Sequence, residues 1–215
     1  MRAKSAKVQE KEYQEKYGHI PDTNEEILKY IESTKKLNWD KIRALESNIR
    51  NLKWNTLDIV LPVIPTPSPR PRYSSVTHSF YVVGAKENHK LIKKYLVEHD
   101  IIYTRTHFYM ETYQPTPSSM TNDEMYCAEK KLIEPLQNGD WDNLAKTYCD
   151  MLQGDLLLND NIISRGTVQK YYSIKPRVVM KIMYQDGFDC KFNERRITRS
   201  TAYLNSIKVP YEVVA

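Results

Sequence analysis

The chain has 215 residues, of which 40% are hydrophobic and 27% charged, and its formal net charge is +5. This length fits one domain with an appendage, and no apolar stretch approaches the ~20 residues that a membrane-spanning helix needs. The charged start lacks the apolar core of a signal peptide, so we expect a chain that is neither exported nor bound to a membrane. Its 3 cysteines form no CxxC pair, which argues against a zinc site or disulfide framework and favours a reducing, cytoplasmic environment.

The first part of the chain, residues 1–57, is predicted to be a helical extension. Asp22 or Thr23 can cap one helix. A further helix is expected after Asn38, because apolar residues then recur at intervals of three and four. We expect this extension to pack on the following domain or on a partner subunit.

Residues 58–190 are predicted to form an α+β domain, in which helices pack on a mixed β-sheet. Short apolar or alternating runs between turn-forming residues indicate the strands, and amphipathic runs indicate the helices. The last two strands are expected to be antiparallel, and residues 191–215 to form an irregular basic tail. Strands are predicted at 58–64, 79–84, 101–113, 167–174 and 177–184, and helices at 86–98, at 122–134 and from Asp140 or Asp142 to Gly154.

Charge is distributed unevenly along the sequence. Residues 58–164 have a net charge of −4, whereas residues 165–208 have a net charge of +7. An acidic middle followed by a basic last quarter suits a protein that gathers cations beside a bound polyanion. A solvated basic tail explains the charge pattern equally well.

The acidic residues around position 140 are the strongest candidates for chemistry. Asn138-Gly139 is a turn signal, and Asp140 and Asp142 stand at the start of the helix predicted after it. The apolar face of this helix is expected to carry Leu144, Tyr148, Met151 and Leu152. The helix dipole favours negative charge at the end where the two aspartates stand. Lys146 follows Asp142 by one turn, where it can contact a phosphate. The apolar run LLL (156–158) is predicted to be a strand that leads to Asp160 at its polar edge, so the backbone can return a third carboxylate to the first two. Carboxylates suit Mg²⁺, although helix caps and a surface salt bridge would use the same residues.

The same segment resembles the signature of RusA-like Holliday junction resolvases, D-x-D-N-x-x-K followed by a later Asp pair. Asp140, Asp142, Asn143 and Lys146 stand at the matching positions, and Asp160 matches the second residue of the pair.

Two flanking motifs occur in the order that this family shows. PSPRPRY (67–73) is similar to an early basic loop and contains Arg70 and Arg72. TVQKYYSIKPRVVMKI is similar to the closing strands, with Lys170 at the basic position. The resemblance covers residues 58–186.

The resemblance implies an endodeoxyribonuclease of recombination and repair, of the phage or prophage type. Such a protein acts as a homodimer that binds branched DNA and makes paired nicks across a four-way junction with Mg²⁺, for which Mn²⁺ can substitute. By this analogy, the catalytic residues are Asp140, Asp142, Lys146 and Asp160, the metal ligands are Asp140, Asp142 and Asp160, and the DNA-binding residues are Arg70, Arg72, Asn143, Lys170, Lys175 and Arg177.

The sequence departs from the family pattern at two places. Asn138-Gly139 precedes the first aspartate, where the family has a basic residue and a proline. Asn159 replaces the first carboxylate of the later pair. Two other functions therefore remain open: a branched-DNA-binding module with weak catalysis, or a helical adaptor that acts through residues 1–57.

Overall fold

The polypeptide divides into two units, Met1–Ser47 and Asn48–Ala215. Helices α1 (Ala6–Tyr17) and α2 (Asn24–Thr34) belong to the first unit. Thr23 caps α2, since its hydroxyl accepts a hydrogen bond from the Glu26 N–H at 3.4 Å. The computed structural model describes residues 6–18, 23–67, 72–74, 79–81, 90, 93–96, 99–137 and 139–206.

The remaining elements follow in chain order, with α3 crossing the division between the units. They are α3 (Trp39–Asn51), β1 (Trp54–Leu61), β2 (Arg72–Ser74), β3 (Ser79–Tyr81), β4 (Thr106–Pro115), α4 (Asn122–Glu129), α5 (Trp141–Leu152), a 3₁₀ turn (Asp160–Ile162), β5 (Ile163–Ser173), β6 (Arg177–Gln185), α6 (Lys191–Thr198) and α7 (Thr201–Ser206). The predicted α+β class, with helices preceding a mixed sheet, is confirmed. No helix in the described ranges is long and apolar enough to cross a bilayer.

Four strands form the main sheet in the order β1-β6-β4-β5, and β2 pairs with β3 separately. β6 is antiparallel to both β1 and β4, whereas β4 and β5 are parallel. A parallel pair needs a long crossover, and the chain between β4 and β5 contains α4 and α5. The last two strands therefore run in opposite directions, as predicted, but β4 lies between them.

One face of this sheet is covered by α5. Its residues Leu144, Tyr148, Met151 and Leu152 are buried and follow helical spacing. They belong to one core cluster with side chains from β1, β4 and β6: Ile59, Leu61, Phe108, Met110, Val178, Met180 and Ile182. Full burial of one such aliphatic side chain contributes roughly 1.5–3 kcal/mol. The core therefore fixes α5, and with it the first turn of α5, against the sheet.

A polar cluster occupies the opposite face at β4. Tyr113 and Lys131 both donate hydrogen bonds to the Glu111 carboxylate. Burial acts to raise the pKa of Glu111, but these hydrogen bonds outweigh burial and hold the pKa below its ordinary value. The Arg177 guanidinium lies 3.6 Å from the centre of the Tyr113 ring. Arg177 therefore has a structural role here.

Several predicted boundaries differ from the observed ones. β1 starts at Trp54 rather than at position 58, because its inward residues alternate with polar ones before the apolar run begins. The helix predicted at 122–134 ends at Glu129, and β3 covers only the first three residues of 79–84 within the described range. Most of the predicted helix at 86–98 lies outside the described residues. The predicted irregular tail is wrong as far as Ser206, since α6 and α7 occupy it.

Candidate active site

The first turn of α5 presents two carboxylates. Asp140 precedes the helix with an extended backbone, φ −68° and ψ 138°, and its side chain makes no capping hydrogen bond. Its carbonyl accepts the first helical hydrogen bond, from the Leu144 N–H at 3.1 Å. Asp142 lies in the first turn, and both aspartates are exposed. Because the positive end of the helix dipole lies here, the position favours negative charge.

The loop in front of α5 is held by neighbouring segments on two sides. Gly139 has φ +95°, and a Cβ built on it would lie 3.3 Å from Cγ of Pro67. Lys170 on β5 donates a hydrogen bond from Nζ to the Gly139 carbonyl at 3.2 Å. The Tyr148 hydroxyl on α5 accepts a hydrogen bond from the Thr66 backbone N–H. The start of α5 is therefore the meeting point of Thr66 and Pro67, from the beginning of the proline-rich loop (65–73), with Gly139 and with Lys170 on β5.

Replacement of Gly139 by alanine is expected to disturb this junction. The left-handed backbone costs an L-residue roughly 1–2 kcal/mol, and the added methyl group would press on Pro67. We expect a lower melting temperature in thermal unfolding. In a nicking assay of the endonuclease activity that the sequence resemblance implies, we expect slower cleavage. Gly154→Ala is the matched control, because Gly154 also has a positive φ but its Cβ would meet nothing within 4 Å. If Gly139→Ala lost stability but cleaved as fast as Gly154→Ala, a positioning role for Gly139 would be contradicted.

Asp160 is placed by buried residues on both sides. Leu158 is 5% exposed and donates its N–H to the Ile102 carbonyl at 2.8 Å. Ile162 is 6% exposed and anchors the 3₁₀ turn. Asn159 begins this turn, since its side chain accepts a hydrogen bond from the Asn161 N–H at 3.1 Å. Asp160 is therefore an exposed residue on a firmly held turn, where the apolar run was predicted to be a strand.

Electrostatics place the Asp160 carboxylate beside α5. Burial, together with the negative charges of Asp160 and Asp150, raises the pKa of the Cys149 thiol to about 12. Cys149 lies seven residues after Asp142, which corresponds to about 10 Å along a helix axis. Asp160 is thus close to a later turn of the helix that carries the other two aspartates.

The three aspartates do not form a ready-made metal cluster. Among the described residues, no three His, Cys, Asp or Glu side chains come together closely enough to hold a metal ion. The structure brings Asp140 and Asp142 to one helix end and Asp160 to the side of that helix. Carboxylate oxygens are suitable donors for Mg²⁺, so the donor chemistry fits a divalent ion although the carboxylates are not grouped around one point. Lys146 is exposed on α5, one turn after Asp142.

The predicted DNA-binding residues fall into different environments. Lys170 is half-buried and bonded to Gly139, and Arg177 donates to the Lys175 carbonyl at 3.0 Å. Lys175 itself is exposed in the turn between β5 and β6. Asn143 is half-buried, and its carbonyl accepts a hydrogen bond from the Thr147 hydroxyl at 2.7 Å.

Arg70 lies outside the described residues. Arg72 pairs with Tyr81 through the backbone of β2, and its side chain is not described.

Sequence reasoning missed two groups of residues around the site. Gly139 and Tyr148 were predicted as a turn residue and a core residue, and their contacts with the proline-rich loop join segments far apart in the chain. The second group is an exposed stripe made by Phe192, Arg195 and Arg196 on α6 and by Arg199 at its C-cap. The arginines were expected to add salt-dependent affinity from a solvated basic tail, and their place on a helix beside Phe192 was missed. Their spacing of three, four and seven is a helical signal that was visible in the sequence.

Comparison with known proteins agrees with this arrangement. No individual curated protein matches the sequence significantly. The sequence model of the family described as "Endodeoxyribonuclease RusA" matches residues 62–183, which is more than half of the chain. The matched segment includes the proline-rich loop, both aspartates of α5, Asp160 and Lys170. The chain therefore belongs to the RusA family of endodeoxyribonucleases, whose members act on Holliday junctions.

Proposed function

We propose that this chain resolves four-way DNA junctions by paired nicks that depend on Mg²⁺, with Mn²⁺ as a possible substitute. The observation that supports this most directly is the meeting of three family motifs at the first turn of α5. Gly139 contacts Pro67 and Lys170, and it directly precedes Asp140. A scissile phosphate bound there would meet carboxylates and a lysine on a helix that the core holds in place.

Asp140, Asp142 and Asp160 are the proposed metal ligands. When bound, a divalent ion polarises the phosphoryl oxygen and activates water. Because the three carboxylates are not grouped around one point, side chains among them must move for all three to share one ion. We propose that the DNA backbone contacts the proline-rich loop through Arg70 and Arg72. It would also contact Lys175 and Asn143.

Three basic residues of the site have different proposed roles. Lys146 lies one turn from Asp142, where its ammonium group can donate to a phosphate oxygen and neutralise charge as the bond breaks. Lys170 holds the Gly139 carbonyl, so we propose that it positions the site and contacts DNA only secondarily. Arg177 stacks on Tyr113, and its proposed effect on DNA is likewise indirect.

A homodimer is proposed because a four-way junction can present two equivalent strands to be cut. Two copies related by a twofold axis would place two active sites on those strands. The three cysteines are free thiols, and we propose action in the cytoplasm, that of the host cell if the gene belongs to a phage.

A cleavage assay with the purified full chain tests this proposal. We expect paired nicks in a synthetic four-way junction with Mg²⁺, no cleavage with EDTA, and little cleavage of a linear duplex of the same sequence. Size-exclusion chromatography with light scattering is expected to give a dimer. Junction binding without cleavage in either Mg²⁺ or Mn²⁺ would contradict the proposal. That result would favour a binding module with weak catalysis, which the ungrouped carboxylates also support.

A further inference from the structure

Among the described residues, helix α6 contacts the rest of its unit through the side that carries Asn193 and Ile197. Ile197 packs against the core cluster, and the Asn193 amide donates to the Asp189 carboxylate at 2.7 Å. These two residues are four apart, so they lie on the same side of the helix. The opposite side of α6 therefore faces outward.

The outward side of α6 combines one aromatic ring with three cations. Phe192, Arg195, Arg196 and Arg199 occur at spacings of three, four and seven, and all are exposed. Phe192 is 63% exposed, which is a high value for a phenylalanine in a folded domain. Arg195 donates through Nε to the Lys191 carbonyl at 3.1 Å, and its guanidinium has further donors. The inward side of α6, with Asn193 and Ile197, explains how the helix is held on the domain. The exposed stripe has no part in holding it there.

A cavity connects this stripe with the turn that carries Asp160. It has a volume of about 650 Å³. Phe192 and Arg196 line it on the helix side, and Asn159 and Asn161, the neighbours of Asp160, line it on the other. Arg105 contributes another cation to its wall. A ligand that extends from Asp160 into this cavity would thus reach the α6 stripe directly.

We propose that the α6 stripe and this cavity bind unpaired nucleotides of the DNA substrate next to the cleavage site. Arginines at one-turn spacing suit successive phosphates, which carry one negative charge each. An exposed ring among them suits stacking on a base, which requires a base that is not paired within a duplex. This inference rests on the proposed nuclease function for its substrate. An acidic protein surface would also suit the arginines, but it would give Phe192 no base on which to stack.

The stripe lies outside the segment that matches the family, which ends at residue 183. The inferred contact therefore extends from residues inside the matched segment, which line the cavity, to helix α6 beyond it. It gives the cut strand a path from Asp160 along α6.

The test measures binding of the full chain, in EDTA, to a single-stranded oligonucleotide and to a four-way junction with 2-aminopurine at the branch. We expect Arg195→Ala/Arg196→Ala/Arg199→Ala to weaken binding and to reduce the salt slope for single strands by about 2, since each phosphate contact contributes about 0.7. Phe192→Ala is expected to weaken single-strand binding about five-fold or more and to abolish 2-aminopurine quenching. Phe192→Trp is expected to restore both.

A charge-matched control removes three exposed lysines from the same unit: Lys94→Ala/Lys130→Ala/Lys181→Ala. Equal loss of binding in the control would overturn the proposal, as would a Phe192→Ala protein with unchanged quenching. Poly-glutamate serves as a probe for an acidic protein surface. If the triple-arginine variant bound poly-glutamate more weakly but bound DNA as the wild type does, the stripe would fit an acidic protein partner and the proposal would be overturned. Because these binding measurements need no cleavage, their outcome can be distinguished from a failure of the proposed nuclease function. A wild-type chain that binds single strands through α6 but never nicks DNA would contradict only the proposed nuclease function.

Discussion

The Asp142→Asn protein is expected to lose cleavage of a four-way junction by about a thousand-fold while it binds the junction at least as tightly as the wild type. Asparagine has nearly the same shape as aspartate and leaves the first turn of α5 intact, but it carries no negative charge for a divalent ion. Metal catalysis contributes several kcal/mol, and a factor of ten in rate corresponds to about 1.4 kcal/mol. Single-turnover nicking measures the cleavage rate, and fluorescence anisotropy with labelled DNA measures the affinity for the junction.

Asp123→Asn is a matched control for this variant. Asp123 is also an exposed aspartate in the first turn of a helix, α4. The substitution therefore removes the same favourable interaction with a helix dipole, worth roughly 0.3–1 kcal/mol. We expect Asp123→Asn to cleave at the wild-type rate. If both variants lose activity equally, helix stability rather than a metal-binding carboxylate would explain the effect of Asp142.

The parts of the site that were predictable from sequence depend on local patterns. Leu144, Tyr148, Met151 and Leu152 follow the helical period, so the pattern correctly predicted both the helix and its buried side. The same pattern left Asp142 and Lys146 on the exposed side. Helix-start chemistry placed Asp140 correctly, because the residues that begin a helix are close in sequence to the turns that they form.

The remaining features depend on contacts between distant segments, which no local pattern encodes. Lys175-Pro176 joins two strands as a hairpin turn would, yet β4 is inserted between them. The bond from Lys170 to Gly139 exists only because β5 runs parallel to β4 and passes the start of α5. The high charge of residues 191–215 suggested an irregular tail, because composition alone does not show the three- and four-residue spacing that marks α6 as a helix.

The position of Asp160 has a consequence for the metal. Two carboxylates at a helix start bind a divalent ion weakly in water, and Mg²⁺ keeps several of its waters in such a site. A third carboxylate raises the affinity if it can reach the same ion. Asp160 stands on a turn fixed by Leu158 and Ile162, so only its side chain can adjust. Loss of the Asp160 carboxylate should therefore lower the affinity for the metal ion but have little effect on the stability of the fold.

The Asp160→Asn protein is accordingly expected to need at least ten-fold more Mg²⁺ for half-maximal cleavage, with little change in its melting temperature. A Mg²⁺ titration of nicking rates measures the shift, because removal of a metal ligand costs at least the 10–100-fold in affinity that supporting residues contribute. Asp150→Asn is the control, since Asp150 also acts electrostatically on Cys149 and its loss likewise removes one negative charge that acts on this thiol. We expect the control to follow the wild-type titration. Equal shifts in both variants would mean that Asp160 acts through general negative charge beside α5. An unchanged titration in Asp160→Asn would leave Asp140 and Asp142 as the only carboxylates of this set that can hold the ion.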